Sequence, residues 1–108
     1  MPLMMTFFNV RKGRDGIFKF GMRRYVPRTA RRYEEEFGIR FIGWFNVTEG
    51  SEWSNVVILD LPNYATLDRL YADASARGFG HRLAESIFDR QHIIFLRERM
   101  GPDLVYKQ

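Results

Sequence analysis

An α+β fold of order β-α-β-β-α-β is predicted by three observations. Short apolar runs at Met4–Arg11, Ile39–Val47, Trp53–Leu61 and His92–Arg99 are flanked by glycine, proline and polar turn signals. The stretches between the first and second runs and between the third and fourth repeat apolar residues every three or four positions instead, as helices do. The 108 residues, 45 % hydrophobic and without cysteine, suit one domain over 1–108 that builds a single core without disulfides.

The elements follow in order. The first strand stops at the turn signal around Gly13. Asp15 is expected to cap a helix over Gly16–Glu36, because Phe18, Met22, Tyr25, Thr29 and Tyr33 recur at helical spacing and form one inward stripe. Pro27 removes a helical hydrogen bond and predicts a kink near Arg23, and Gly38 ends the helix. Ile39–Val47 and Trp53–Leu61, joined by the polar stretch Thr48–Glu52 with its glycine, read as a hairpin. Strict alternation sets Phe41, Phe45 and Val47 on one face and Ile42 and Trp44 on the other; Val57, Leu59 and Leu61 likewise oppose Val56 and Ile58.

Pro62-Asn63 opens the next helix, with Asn63 as cap and Leu67, Leu70, Tyr71 and Ala74 inward. Arg77-Gly78-Phe79-Gly80 interrupts it, a shorter amphipathic piece covers His81–Arg90, and Gly101-Pro102 turns the chain into its tail. This order is the ferredoxin-like plait, a four-stranded antiparallel sheet with both helices on one face. Such a sheet normally shows polar residues on its open side. Neither face of this hairpin is polar, which predicts a homodimer whose two sheets close back to back into a dimeric α/β barrel.

Charge is unevenly spread. Residues 1–32 hold nine Lys or Arg and one Asp, whereas 33–108 hold eight basic and twelve acidic groups. Helical phase points Arg24, Arg28 and Arg31 away from the apolar stripe, so the basic third reads as a solvated outer face. The opening MPLMMTFF lacks the basic start and cleavage site of an export signal, and no apolar run is long enough for a membrane span. A cytoplasmic protein without membrane contact is expected.

Phe8-Asn9-Val10-Arg11 before Gly13, Tyr33 to Gly38 running into Ile39-Arg40-Phe41-Ile42-Gly43-Trp44-Phe45, and Glu49-x-Gly leading to Asn55-Val56-Val57 resemble the NIPSNAP-like branch of the dimeric α/β-barrel proteins. The resemblance implies the same plait and barrel dimer. Its wider superfamily includes cofactor-independent monooxygenases, polyketide cyclases, muconolactone-type isomerases and haem-degrading enzymes. A fold shared by so many chemistries does not choose among them.

Candidate residues are taken from the side chains themselves. His81, beside a glycine-flanked bend, and His92, on the last strand, are the groups that ordinarily titrate near neutrality, and Tyr71 is a phenolic donor on a helix stripe. These three are the catalytic candidates. Tyr25, Trp44, Asn9 and Phe79 are the candidates for holding substrate. Asp60 stands out on an apolar strand and reads as a solvated strand end.

Two histidines eleven positions apart, without further ligands at a recognisable spacing, predict no metal, and the tryptophan-to-His81 spacing does not reproduce a haem site; no cofactor is expected. Nucleic-acid binding is disfavoured because Val56 to Leu61 lacks the exposed aromatics of an RNA-binding third strand. The expected function is binding of a small apolar or aromatic metabolite, with cofactor-independent monooxygenase, cyclase or isomerase chemistry through a His or Tyr. The alternative is a non-catalytic dimeric binding or regulatory module.

Overall fold

The computed structural model describes residues 2–73, 76–78, 82, 88–97 and 99–106. Its elements are β1 (Leu3–Val10), α1 (Asp15–Phe37), β2 (Arg40–Asn46), β3 (Asn55–Asp60), α2 (Ala65–Ala72), β4 (Phe88–Leu96) and α3 (Pro102–Tyr106). The four strands form one sheet in the order β2-β3-β1-β4, with every neighbouring pair antiparallel. This is the predicted ferredoxin-like arrangement.

Register decides which residues share a face. Met4, Thr6 and Phe8 of β1 lie opposite Leu59, Val57 and Asn55 of β3, and opposite Phe95, Ile93 and Gln91 of β4. These residues face the helices: Met4 packs in one buried cluster with Ile39, Leu61 and the α2 residues Leu67 and Leu70. Phe8 forms a second cluster with Val10, Met22, Trp44 and Val57. Met5, Phe7, Ile58, His92, Ile94 and Leu96 point the other way, onto a face that no described helix covers.

Strict alternation fails in β2. A register shift between Phe41 and Gly43 pairs Phe41 with Leu59 but Trp44 with Val57, so both rings face the helices and Phe45 faces away. The irregularity absorbs one residue, as a β-bulge does, and reverses the phase expected for Trp44. Gly43 suits this place, since a Cβ there would stand 2.7 Å from Cζ of the Phe45 ring and the exposed ring would have to move.

Helix α1 is continuous through Pro27 from Asp15 to Phe37. Its N-cap is Arg14, with no side-chain hydrogen bond, so Asp15 is the first helical residue and not the cap. Gly38 closes the helix in the left-handed region at φ 69°; its N–H donates to Glu34 O, and Ile39 N–H donates to Tyr33 O. Asn63 does cap the start of α2, accepting from both the N–H and the hydroxyl of Thr66 through Oδ1. The helical piece expected over His81–Arg90 lies mostly outside the described residues, and its last residues, Phe88–Arg90, belong to β4.

Ion pairs tie elements together. Arg32 on α1 donates to Asp73 Oδ1 at 2.8 Å, while Asp73 Oδ2 accepts the Ala76 N–H at 2.8 Å and so caps the turn after α2. The hydrogen bond from Arg32, followed by that from Ala76, holds the Asp73 carboxyl below the usual carboxylate range. Asp60 is buried rather than solvated: Arg40 approaches Oδ2 at 3.4 Å, and Oδ1 has no partner among the described residues.

Because the folded-state pKa of Asp73 is depressed, its stabilising contribution is present above the unfolded value and is lost as pH falls through the folded one. Melting temperatures recorded from neutral pH down into the acid range should therefore fall less steeply for Asp73→Asn than for the native chain. Arg40→Ala should destabilise the fold by about 1–3 kcal/mol by leaving the buried Asp60 carboxylate unpaired. In urea unfolding, most of that loss should vanish in an Asp60→Asn background.

Candidate functional site

Between α1 and the helix-facing side of the sheet lies a cavity of about 310 Å³. The strands supply its floor: Met4, Thr6 and Phe8 from β1, Val57 and Leu59 from β3, Gln91 and Ile93 from β4. Met22, Val26, Thr29, Ala30 and Tyr33 of α1 form the roof, and Ile39 and Phe41 close one side. The roof residues recur at three- and four-residue spacing, so one stripe of the continuous helix provides them. The cavity separates the two buried clusters, taking Met4 and Ile39 from one and Phe8 from the other.

Its chemistry is sparse. The polar side chains among the described lining are Thr6, Thr29, Tyr33 and Gln91; none carries a charge at neutral pH. Burial raises the Tyr33 pKa above its ordinary value, partly opposed by Arg32 and reinforced by Asp73, so the phenol is a neutral hydrogen-bond donor across the physiological range. Tyr33 is braced edge-on against Phe37, over which the guanidinium of Arg69 lies at 5.5 Å.

The described residues among those singled out from sequence as site candidates do not line the cavity. Tyr25, expected on the inward stripe, is 48 % exposed beside Arg24, and Val26 takes the inward position. Tyr71 is 50 % exposed on α2. His92 lies on the far face of the sheet, its ring stacked on Trp53 with centroids 6.0 Å apart and planes 7° from parallel. His81 and Phe79 fall outside the described residues.

Asn9 and Trp44 hold the β2–β3 connection. Asn9 Oδ1 accepts from Ser54 N–H at 2.8 Å and its amide donates to Glu52 O at 3.3 Å, while the Trp44 indole donates to Asn55 Oδ1 at 2.9 Å. Arg90 extends this strap to β4 by pairing with Glu52 at 3.0 Å and lying 4.9 Å above the Trp53 ring. Asn9, Trp44 and His92 each contact the β2–β3 connection or its flanking residues, Trp44 from the helix side and His92 from the far face, and none of the three lines the cavity.

The cavity residues that sequence reasoning passed over are Thr6, Val26, Ala30, Gln91 and Ile93. Thr6 did leave a signal, as a polar residue midway along the inward set of an apolar strand.

No protein-family model matches the sequence, and no curated protein matches it. Solved structures do match in shape. A NIPSNAP domain protein from Burkholderia xenovorans superposes with a TM-score of 0.68 at 21 % identity, covering 95 % of this chain and 100 % of its own. The chain shares the NIPSNAP-domain fold. A dimeric protein of ferredoxin-like fold from Bacteroides fragilis gives 0.64 at 13 % identity, with 90 % and 95 % covered. A protein from Nitrosomonas europaea described as a putative antibiotic biosynthesis monooxygenase gives 0.67 at 10 % identity, with 93 % and 100 % covered.

The NIPSNAP-domain likeness runs over nearly the whole chain, beyond the stretch up to Pro62 that carries the sequence resemblance. At these identities it establishes the fold and leaves the chemistry to the site. Among the described residues no group of three His, Cys, Asp or Glu is placed to hold a metal ion, and no helix is long and apolar enough to cross a membrane.

Tyr33 gives the cavity a spectroscopic handle. Alkaline titration followed by phenolate absorbance should contain one component above the ordinary tyrosine range, and Tyr33→Phe should remove that component selectively.

Proposed function

We propose that the protein is a homodimer that binds a small apolar or aromatic molecule in the cavity between α1 and the sheet. The observation that carries this reading is the cavity itself, a half-open pocket of about 310 Å³ between two buried clusters, lined mainly by apolar side chains. That volume is within the range of small-molecule sites, and its lining is mostly aliphatic and aromatic. A cavity of about 150 Å³ accommodates benzene, so this one has room for about two rings.

The dimer is supported by the sheet's other face. Phe45, Ile94 and Leu96 there are 48 %, 37 % and 43 % exposed, and Met5, Phe7 and Ile58 continue the apolar surface between them. The Bacteroides fragilis neighbour is described as dimeric, which supports the same assembly here. A cytoplasmic setting belongs to this proposal and is in keeping with the cysteine-free chain.

Binding without chemistry fits the described lining best, since Tyr33 is its one titratable side chain and its pKa moves away from neutrality. The catalytic reading is favoured by the description of the Nitrosomonas europaea neighbour as a monooxygenase. It requires an acid–base group from elsewhere in the chain, with His81 first among the candidates. Unchanged turnover of phenolic substrates in His81→Ala would remove that assignment.

The neutral fluorophore phenylnaphthylamine should bind saturably, one per chain, with emission shifted to the blue. Ala30→Phe, which places a ring in the roof of the cavity, should abolish the signal while circular dichroism stays native. Absence of saturable binding to the native protein would overturn the cavity reading. Sedimentation should give twice the chain mass at micromolar concentration, and Ile94→Glu should halve it.

A further inference from the structure

We infer that Thr6 and Gln91 form a polar recognition pair for an uncharged ligand that carries one oxygen function on an apolar body of about two rings. The inference rests on the cavity being a binding site and concerns what that site selects. Thr6 lies opposite Ile93, and Phe8 lies opposite Gln91, so Thr6 and Gln91 are diagonal neighbours on the helix-facing side of adjacent strands. Both line the cavity, and among the described residues neither side chain has a hydrogen-bond partner in the protein.

Their positions distinguish them from the other polar lining. A helical threonine such as Thr29 can satisfy its hydroxyl on the carbonyl of the preceding turn, and Tyr33 stands beside the Arg32–Asp73 pair at the Ile39 end. Thr6 is half-buried on the strand floor, where its hydroxyl can reach whatever occupies the cavity. Gln91, exposed at the open side two residues along the neighbouring strand, adds an amide that both donates and accepts. Together they can read a hydroxyl or a carbonyl oxygen.

Charge on the ligand is selected against. The described lining holds no Lys, Arg or His to pair with a carboxylate and no Asp or Glu to pair with an amine. An ion entering this half-open pocket would lose part of its hydration with no counter-charge in the described lining, which costs more than burying a neutral hydroxyl that keeps its hydrogen bonds. Phenols, quinones and cyclic ketones fit this description; aromatic acids and amines in their charged forms do not.

The test compares naphthalene, naphthol and naphthoate as displacers of phenylnaphthylamine from the native dimer, from Thr6→Val and from Gln91→Leu. Naphthol should bind the native protein roughly three- to tenfold more tightly than naphthalene, the increment expected for a neutral hydrogen bond. Naphthoate should fail to compete. Each substitution should bring naphthol to the level of naphthalene and leave naphthalene itself unchanged, which also shows that the cavity is intact. Equal native affinities for naphthol and naphthalene, naphthol binding unaltered in both variants, or naphthoate competing as well as naphthol would each overturn the pair's role while the cavity reading stands. Failure of all three compounds and of the fluorophore to bind native protein would overturn the cavity reading first and the pair with it.

Discussion

The structure depends on the register of β1. This strand is paired on both sides, with β3 and β4, and its alternation allots Met4, Thr6 and Phe8 to the helices and Met5 and Phe7 to the opposite face. A slip of one residue against either neighbour would exchange the two sets. Phe8 would then leave its cluster and Met4 would lose Ile39, Leu61, Leu67 and Leu70. Full burial of a large apolar side chain contributes roughly 1.5–3 kcal/mol, so such an exchange would cost a large part of a small domain's stability. The 2.9 Å bond from Leu61 N–H to Pro2 O carries the pairing past the end of β3 and helps fix the frame.

The cavity is a consequence of the same frame. Met4 and Phe8 each reach a buried cluster, but the residue between them on the inward side is Thr6, shorter than either and polar. Above it α1 presents Ala30 and Thr29, again short side chains. Floor and roof therefore recede at the same place, with longer side chains on either side keeping the helix off the sheet. Leucine-sized residues at Thr6 and Ala30 would fill much of the space, so the opening is written into particular small residues and is not an accident of helix position.

The plait was legible in the sequence because it rests on signals that local physics enforces. Apolar runs between turn residues located all four strands, Gly38 marked the end of α1, and Asn63 marked the start of α2. The site was much less legible. A stripe beginning at Phe18 and Met22 extends equally well through Tyr25 or Val26 on a helical wheel, and aromatic character favoured the residue that the packing leaves exposed. Alternation in β2 breaks at a bulge for which Gly43 was the sole clue, so Trp44 was set opposite Phe41 although the two share the helix-facing side. His92 and Asn9 drew notice as functional residue types, yet their contacts are with Trp53 and Ser54 across the loop, and long-range contacts of that kind have no local periodicity. Asp60 was correctly identified as unusual, but only the fold brings Arg40 next to it.

The two faces of the sheet bear on each other through its small thickness. Strands that form the cavity floor with Thr6, Val57 and Ile93 alternate outward to Phe7, Ile58 and Ile94, so the apolar far face is the underside of the site. A chain of this length buries roughly two thirds of its surface, and both described long helices are already used on one side. A second copy on the other side would satisfy that exposed apolar area and at the same time resist bending of the floor. The strap from Asn9 and Ser54 through Glu52 to Arg90 acts toward the same end within one chain, linking β1 and the hairpin loop to the edge strand that carries Gln91. Were the cavity to bind a ligand as proposed, restraint of β4 would limit the movement of Gln91 relative to Thr6 and so lower the ordering cost of binding. The Trp53 ring thus packs against two β4 residues, His92 and Arg90, on the strand that also carries Gln91.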